Sequence, residues 1–160
     1  MDLDTLCGEI ARRLTQRGLM LATAESCTGG GAAQAATSLP GSSRWFERGF
    51  ITYSNLSKQD LLGVPADTLG EHGAVSEATA RAMAEGALMR SRAQASLAIT
   101  GIAGPEGGTA EKPVGTVWLA WAGAGRATLA EQCRFTGDRD QIREQAVEAA
   151  LRGLLRFLGE

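Results

Sequence analysis

Histidine, cysteine and lysine are scarce in this chain of 160 residues, and their scarcity limits the chemistry open to it. The sequence holds one histidine and three cysteines, and Cys7, Cys27 and Cys133 form no CxxC pair. An odd number of dispersed cysteines is typical of a reducing cytosol rather than of a secreted disulfide framework. Because histidine and cysteine ligands are so few and so poorly spaced, we expect no metal and no cofactor.

Long apolar runs, a leader segment and basic clusters are missing as well. No apolar run approaches the ~20 residues that a membrane span requires. The amino terminus is acidic and lacks the basic and then apolar layout of a signal peptide. The net charge is −2 and the basic residues are scattered. We therefore expect a soluble, cytoplasmic protein with no nucleic-acid and no membrane partner. The oligomeric state stays open, a homo-oligomer included.

The order of helical and extended patterns predicts the fold class. Leu6, Ile10 and Leu14 recur at helical spacing, whereas short apolar runs such as LMLATA and ASLAIT indicate buried strands. The predicted helices cover 4–17, 29–37, 57–62, 76–89 and the segment from 138 onward, and the predicted strands cover 19–24, 45–53, 95–100, 116–122 and 126–135. Early alternation and a late hairpin predict an α/β protein, a three-layer α/β/α sandwich with a mixed sheet, as a single domain over residues 1–160.

Two of the predicted strands end in glycine-rich turns, AESCTGGG and AITGIAGPEGG. In open α/β sheets, ligands bind outside the carboxyl ends of strands, so these turns should face one crevice. Glycines there let backbone N–H groups approach a ligand closely. Neither turn is a P-loop, and neither matches GxGxxG in the context of a dinucleotide site. The alternative is that both are only tight loops.

Ser26 lies directly ahead of the first glycine turn. A hydroxyl at a strand-to-helix turn can reach a substrate carbonyl while nearby amides point at the oxyanion that forms, as acyl transfer requires. The alternative role is a helix-capping serine. Cys27 is a competing nucleophile, although it fits better as a small buried hydrophobic residue.

A serine nucleophile needs a base, and the candidates are His72 and a lysine. His72 is predicted to lie in a polar loop, and if it is not the base, a Ser-His-Asp triad is excluded. The chain has two lysines, Lys58 and Lys112, against fourteen arginines. Lys58 follows the end of a predicted strand on the same side as Ser26, where burial would lower its pKa and make it a base. A solvated surface lysine is the alternative. Tyr53, the only tyrosine, is close enough in sequence to orient Lys58 or to relay a proton to it.

Five runs of residues, in order along the chain, resemble the carboxy-terminal domain of CinA, the competence-damage-inducible protein. That domain is similar to stand-alone nicotinamide mononucleotide deamidases. The runs are TAESCTGG (23–30), PGSSRWFERGFITYSNLSK (40–58), LGEHGAVSE (69–77), ITGIAGPEGG (99–108) and EKPVGTVW (111–118). The resemblance covers nearly the whole chain.

The resemblance implies a metal-independent amidohydrolase that converts nicotinamide mononucleotide, its small-molecule substrate, to nicotinic acid mononucleotide and ammonia. It implies Ser26 as nucleophile with Lys58 and Tyr53 as its catalytic partners, and amides near residues 28–30 as the oxyanion donors. We expect backbone N–H groups of the glycine turns to hold the 5′-phosphate. The expected substrate-binding residues are Thr28, Gly29, Gly30, Asn55, Thr100 and Gly101. The alternative is a catalytically silent nucleotide-binding or interaction module of the same fold.

Overall fold

The computed structural model describes residues 1–159, and its strands form one five-stranded mixed sheet. The strands are β1 (Leu21–Glu25), β2 (Phe46–Ile51), β3 (Ala95–Gly101), β4 (Thr116–Gly123) and β5 (Leu129–Arg134). They lie in the order β2-β1-β3-β4-β5. Strand β1 is parallel to both β2 and β3, whereas β3–β4 and β4–β5 are antiparallel. The predicted α/β fold with a mixed sheet is confirmed.

Helices cover both faces of this sheet. They are α1 (Leu3–Arg17), α2 (Gly31–Thr37), α3 (Asn55–Leu62), α4 (Ala66–His72), α5 (Glu77–Met89) and α6 (Arg139–Leu158), with a short 3₁₀ turn at Ser42–Arg44. Helices α1, α2 and α6 build one apolar core against the sheet, and α3, α4 and α5 build the other. Two separate cores on opposite faces make the three layers that the sequence predicts.

The two cores differ in the size of their side chains. On the α1–α6 face, leucine, isoleucine and phenylalanine side chains fill the space between helices and sheet. On the α5 face, alanines of the helix, such as Ala80 and Ala84, meet alanines of the sheet, such as Ala24 and Ala98. Small residues on both sides let α5 lie close to the strands. Helix α3 also lies close to α5. A Cβ at Gly86 would overlap the carbonyl oxygen of Leu62, so this close approach requires glycine.

Two helix boundaries differ from the prediction in ways that bear on the site. Helix α3 begins at Asn55 rather than 57, because Ser54 caps it and forms a capping box with Ser57. His72 is the last residue of α4, not part of a loop, so that prediction was wrong. Helix α4 has only seven residues and contains Gly70, so it carries little of the periodicity by which helices are recognised.

Candidate active site

A cavity of about 270 Å³ opens at the carboxyl ends of β1 and β3. The start of α3 and the start of α6 complete its walls, together with the segment between β3 and β4. We call residues 26–30 the nucleophile turn and residues 102–115 the glycine loop. Of the residues predicted as site residues, those that line this cavity are Ser26, Tyr53, Asn55, Lys58, Thr100 and Gly101.

Ser26 is the first residue after β1. Its backbone N–H donates to the carbonyl oxygen of Ile99 in β3 at 3.0 Å, which ties the turn to the neighbouring strand. The carbonyl of Ser26 in turn accepts from the N–H of Gly29 at 3.1 Å. Gly29 and Gly30 have φ values of 58° and 109°, which side chains rarely tolerate, so this tight return needs glycine. Backbone hydrogen bonds on both sides of Ser26 therefore fix the position from which its side chain projects.

Lys58 lies on α3 with its amine directed at Ser26. Its Nζ is 3.0 Å from Oγ of Ser26, 2.9 Å from the carbonyl oxygen of Thr52 and 3.4 Å from that of Tyr53. Only 1% of the residue is exposed. Burial lowers the pKa of Lys58 from its ordinary value, because the charged form loses hydration. No ion pair among residues 1–159 includes Lys58, so no carboxylate offsets that loss.

The phenol of Tyr53 does not reach Lys58. It lies at the mouth of the cavity, where the residue is 63% exposed and its hydroxyl accepts from Arg139 at 3.2 Å. Only the carbonyl oxygen of Tyr53 contacts the amine of Lys58. A proton relay through the phenol has no hydrogen-bonded path in this arrangement, whereas direct transfer between Ser26 and Lys58 does.

The two competing residues are placed less favourably. Cys27 lines the cavity, but burial raises the pKa of its thiol to about 11, so it stays protonated at neutral pH and is a poor nucleophile. His72 does not line the cavity, and half of its side chain is exposed beside Glu71. Its carbonyl oxygen accepts from the exposed amine of Lys112 at 3.0 Å. Of the candidate bases, the structure brings only Lys58 to Ser26.

Thr28, Gly29 and Gly30 are predicted substrate-binding residues that the structure does not bring into the cavity. The hydroxyl of Thr28 donates to the carboxylate of Glu25 at 2.7 Å. Thr28 instead borders a second cavity, of about 440 Å³, between α1, α2 and α6. The physical reason is the buried carboxylate, which draws the hydroxyl and the first amides of α2 towards itself and away from the catalytic side.

Glu25 and Arg139 belong to this region and were missed from the sequence. Glu25 ends β1, and an acidic residue just ahead of a glycine turn and a helix is the signal that marks a partner for helix N-terminal amides. Arg139 begins α6 and donates to the carbonyl oxygen of Gly104 at 2.6 Å as well as to Tyr53. Both acceptors are neutral, and no ion pair among the described residues includes Arg139.

Within residues 1–159, no three His, Cys, Asp or Glu side chains are grouped as a metal ion would need. No helix in that range has both the length and the apolar character to cross a membrane.

Known proteins resemble this chain closely. Residues 3–158 match the family model described as the CinA C-terminal domain. A protein named nicotinamide-nucleotide amidohydrolase PncC, from Pseudomonas putida, is 49% identical over 97% of this chain and 96% of its own length. The chain spans about two fifths of the length of longer relatives, such as a CinA-like protein from Syntrophotalea carbinolica, 53% identical over 98% of this chain and 38% of that protein.

A solved structure shares the fold almost completely. The competence/damage inducible protein CihA from Agrobacterium tumefaciens superposes with a TM-score of 0.96 at 48% sequence identity. The match covers 100% of this chain and 97% of that one. The architecture described above is therefore one that an experimental structure of a relative also has.

Proposed function

The chain belongs to the CinA C-terminal domain family, and from that premise we propose that it is a nicotinamide-nucleotide amidohydrolase. Its substrate is nicotinamide mononucleotide, and its products are nicotinic acid mononucleotide and ammonia. The observation that carries the proposal is the buried amine of Lys58, 3.0 Å from the hydroxyl oxygen of Ser26 at the floor of a cavity. A serine activated by an uncharged lysine is a known solution for acyl transfer without a metal.

The surroundings of Lys58 suit its role as a base. A neutral amine has two N–H donors and one lone pair, and the carbonyl oxygens of Thr52 and Tyr53 accept the two donors. The lone pair is left facing Ser26. Burial lowers the pKa of the amine, so a larger fraction of it is neutral than in an exposed lysine at the same pH. Lys58 therefore accepts the hydroxyl proton as Oγ of Ser26 attacks the carboxamide carbon.

The remaining steps return each group to its starting state. The tetrahedral intermediate collapses by breaking its C–N bond, and Lys58 delivers its proton to the departing nitrogen, which leaves as ammonia. Lys58 then takes a proton from water as that water attacks the acyl-enzyme. The second intermediate expels Oγ, which regains its proton from Lys58, and nicotinic acid mononucleotide is released. One base serves both halves of the reaction, as general base and then general acid.

The oxyanion donor differs from the one the sequence suggested. The amide of Gly29 already donates to the carbonyl oxygen of Ser26, so it is not available to substrate. We assign the role to the N–H of Cys27 by analogy with the nucleophile elbow of α/β-hydrolases, in which the residue after the serine supplies this donor. Its amide needs no side chain for this, which leaves the protonated thiol without a chemical role.

We assign the 5′-phosphate to Arg139 rather than to backbone amides alone. Besides the amine of Lys58, which we propose to be neutral, the guanidinium of Arg139 is the one basic side chain among the described residues that line the cavity. A guanidinium whose acceptors are both neutral keeps its full charge for an anion and can bind a phosphate through two parallel hydrogen bonds. Amides of the glycine loop, such as that of Gly107, lie on the same side of the cavity and add to this grip.

Ammonia release tests the proposal. The purified chain should liberate one ammonia per nicotinamide mononucleotide consumed, and the organic product should be nicotinic acid mononucleotide by chromatography. Consumption of the mononucleotide without release of ammonia, or binding of the mononucleotide with no turnover at all, would contradict the proposal. The second outcome would make the chain a nucleotide-binding module of the same fold.

A further inference from the structure

Glu25 is a buried acidic residue that the reaction steps above do not use. The residue is 1% exposed, and each hydrogen-bond partner of its carboxyl oxygens is a donor. Oε1 accepts from the hydroxyl of Thr28 at 2.7 Å and from the N–H of Ala32 at 2.8 Å, and Oε2 accepts from the N–H of Ala33 at 3.1 Å. Three donors, two of them at the positive end of α2, make the environment one that requires a carboxylate.

The side chain of Glu25 holds the nucleophile turn from outside the catalytic cavity, which Glu25 does not line. Its bond to Thr28 and its bonds to the first turn of α2 hold both ends of the segment that follows Ser26. On the other side of the turn, the guanidinium of Arg143 lies 3.4 Å from the carbonyl oxygen of Thr28. Thr28 is therefore held by its hydroxyl and by its carbonyl, two residues from the nucleophile.

The backbone of Glu25 reaches the base as well. Its carbonyl oxygen accepts from the N–H of Thr52 at 2.8 Å, and the carbonyl oxygen of Thr52 accepts from the amine of Lys58 at 2.9 Å. One residue thus connects, by hydrogen bonds alone, the turn that carries the nucleophile and the segment that orients the base.

We propose that Glu25 is a positioning residue, which acts through Thr28 to hold the hydroxyl of Ser26 in line with the amine of Lys58. The proposal rests on the proposed function, because it assigns to that pair the reacting atoms. A carboxylate that only capped α2 would not need the hydroxyl of Thr28. Neither Glu25 nor Thr28 lines the catalytic cavity, so their effect is on the rate of the chemical step and not on substrate affinity.

Four variants separate positioning from general support of the fold. Glu25→Gln keeps the shape but places an amide N–H₂ against backbone donors. Thr28→Val removes the hydroxyl, and Thr28→Ser keeps it. Ser96→Ala is the matched control, because its hydroxyl is equally buried and donates to the carbonyl oxygen of Ala84 at 2.6 Å, in a part of β3 remote from the cavity.

Two readouts are measured well below each variant's unfolding temperature. One is the kcat and KM for nicotinamide mononucleotide. The other is the rate constant for labelling Ser26 with a fluorophosphonate, which reports the nucleophile without any substrate. An unfolded fraction reduces the labelled amount, whereas a displaced hydroxyl reduces the rate constant, so the two causes are distinguished.

We expect Glu25→Gln to lower kcat and the labelling rate constant by ~10²-fold with KM unchanged, since a misplacement of about 1 Å costs that much. Thr28→Val should lower both rate constants by ~10-fold, and Thr28→Ser should lower them by no more than about 3-fold. Ser96→Ala should lower the stability of the fold and leave both rate constants unchanged. A Thr28→Val enzyme that labels at the wild-type rate constant, or a Ser96→Ala enzyme that slows as much, would overturn the proposal. If the wild type labels but releases no ammonia, the proposed function fails and the labelling series still decides the role of Glu25.

Discussion

The two segments that follow β1 and β3 both contribute to the wall of the same cavity, but they are held in place differently. The nucleophile turn is fixed from inside the protein by the carboxylate of Glu25 and by backbone bonds to β3. The glycine loop is held from outside by long cationic side chains, Arg139 on Gly104 and Lys112 on the carbonyl of His72. We call the nucleophile turn the buried wall, and the glycine loop with the Arg139 that holds it the exposed wall. We infer that the buried wall carries out the chemistry and that the exposed wall selects the substrate.

The largest effect should follow removal of the nucleophile from the buried wall. Ser26→Ala should lower kcat by ~10⁴-fold or more, because it removes the oxygen that we propose forms the acyl-enzyme. Far-UV circular dichroism should be unchanged. Cys27→Ala is the control, and we expect it to keep most of the activity. If Cys27→Ala alone abolishes turnover while the fold persists, the nucleophile is Cys27.

The pH profile should show the lowered pKa of the base. Below its pKa, Lys58 is an ammonium and cannot accept a proton from Ser26, so kcat rises with pH through that pKa and levels off above it. Burial places this midpoint below the ordinary value for lysine. Steady-state rates across the pH range of stable enzyme measure it. A rise centred at the value of an exposed lysine, about 10.4, would mean that Lys58 is charged at neutral pH.

The exposed wall should discriminate substrates through Arg139. Arg139→Gln should lower kcat/KM for nicotinamide mononucleotide by ~10²-fold, equivalent to about 2.7 kcal/mol, and leave nicotinamide riboside nearly unaffected. The wild type should show the same loss when the riboside or free nicotinamide replaces the mononucleotide, with part of it in kcat.

Arg139 also contacts Tyr53 and the glycine loop, so the two roles need separating. Equal losses of kcat/KM for the mononucleotide and the riboside would show that Arg139 stabilises the glycine loop and does not bind the phosphate. Arg139→Lys keeps the charge but not the pair of parallel donors. Its kcat/KM for the mononucleotide, but not for the riboside, should therefore lie between the values of the wild type and of Arg139→Gln.

The smallest effect should come from Lys112. Its amine is exposed and bonds one carbonyl oxygen, so Lys112→Met should cost under ~1 kcal/mol of unfolding free energy and change kcat by no more than about 2-fold. Thermal unfolding and the ammonia assay measure the two quantities. A ten-fold loss of kcat would show that the anchorage of the glycine loop, and not only its charge, sets the rate.

How far the sequence predicted this site depends on where each residue finds its partners. Ser26 and Lys58 could be chosen as candidate nucleophile and base because one histidine and two lysines leave few candidate bases, and because each lies beside the end of a strand. Arg139 could not, since its partners are 35 and 86 positions away in the chain. The same holds for the phenol of Tyr53. The residue lines the cavity, as the sequence suggested, but its hydroxyl contacts that distant arginine instead of Lys58.

Thr28 illustrates a different limit. Its position next to Ser26 suggested substrate contact, but a hydroxyl turns towards the strongest acceptor in reach, and that acceptor is the buried Glu25. The succession of strands along the chain and the layers of helices followed from local patterns, whereas α4, a seven-residue helix without clear periodicity, did not.

The central claim is that an uncharged Lys58 deprotonates Ser26, and ammonia release by Lys58→Arg, measured beside Lys58→Met, tests it most directly. Arginine has a long basic side chain like that of lysine, but its guanidinium is always charged and cannot accept a proton at any accessible pH. We expect both variants to be inactive to within background at neutral pH while circular dichroism shows them folded. A Lys58→Arg enzyme with a tenth or more of wild-type activity would contradict the claim and return His72 to consideration as the base.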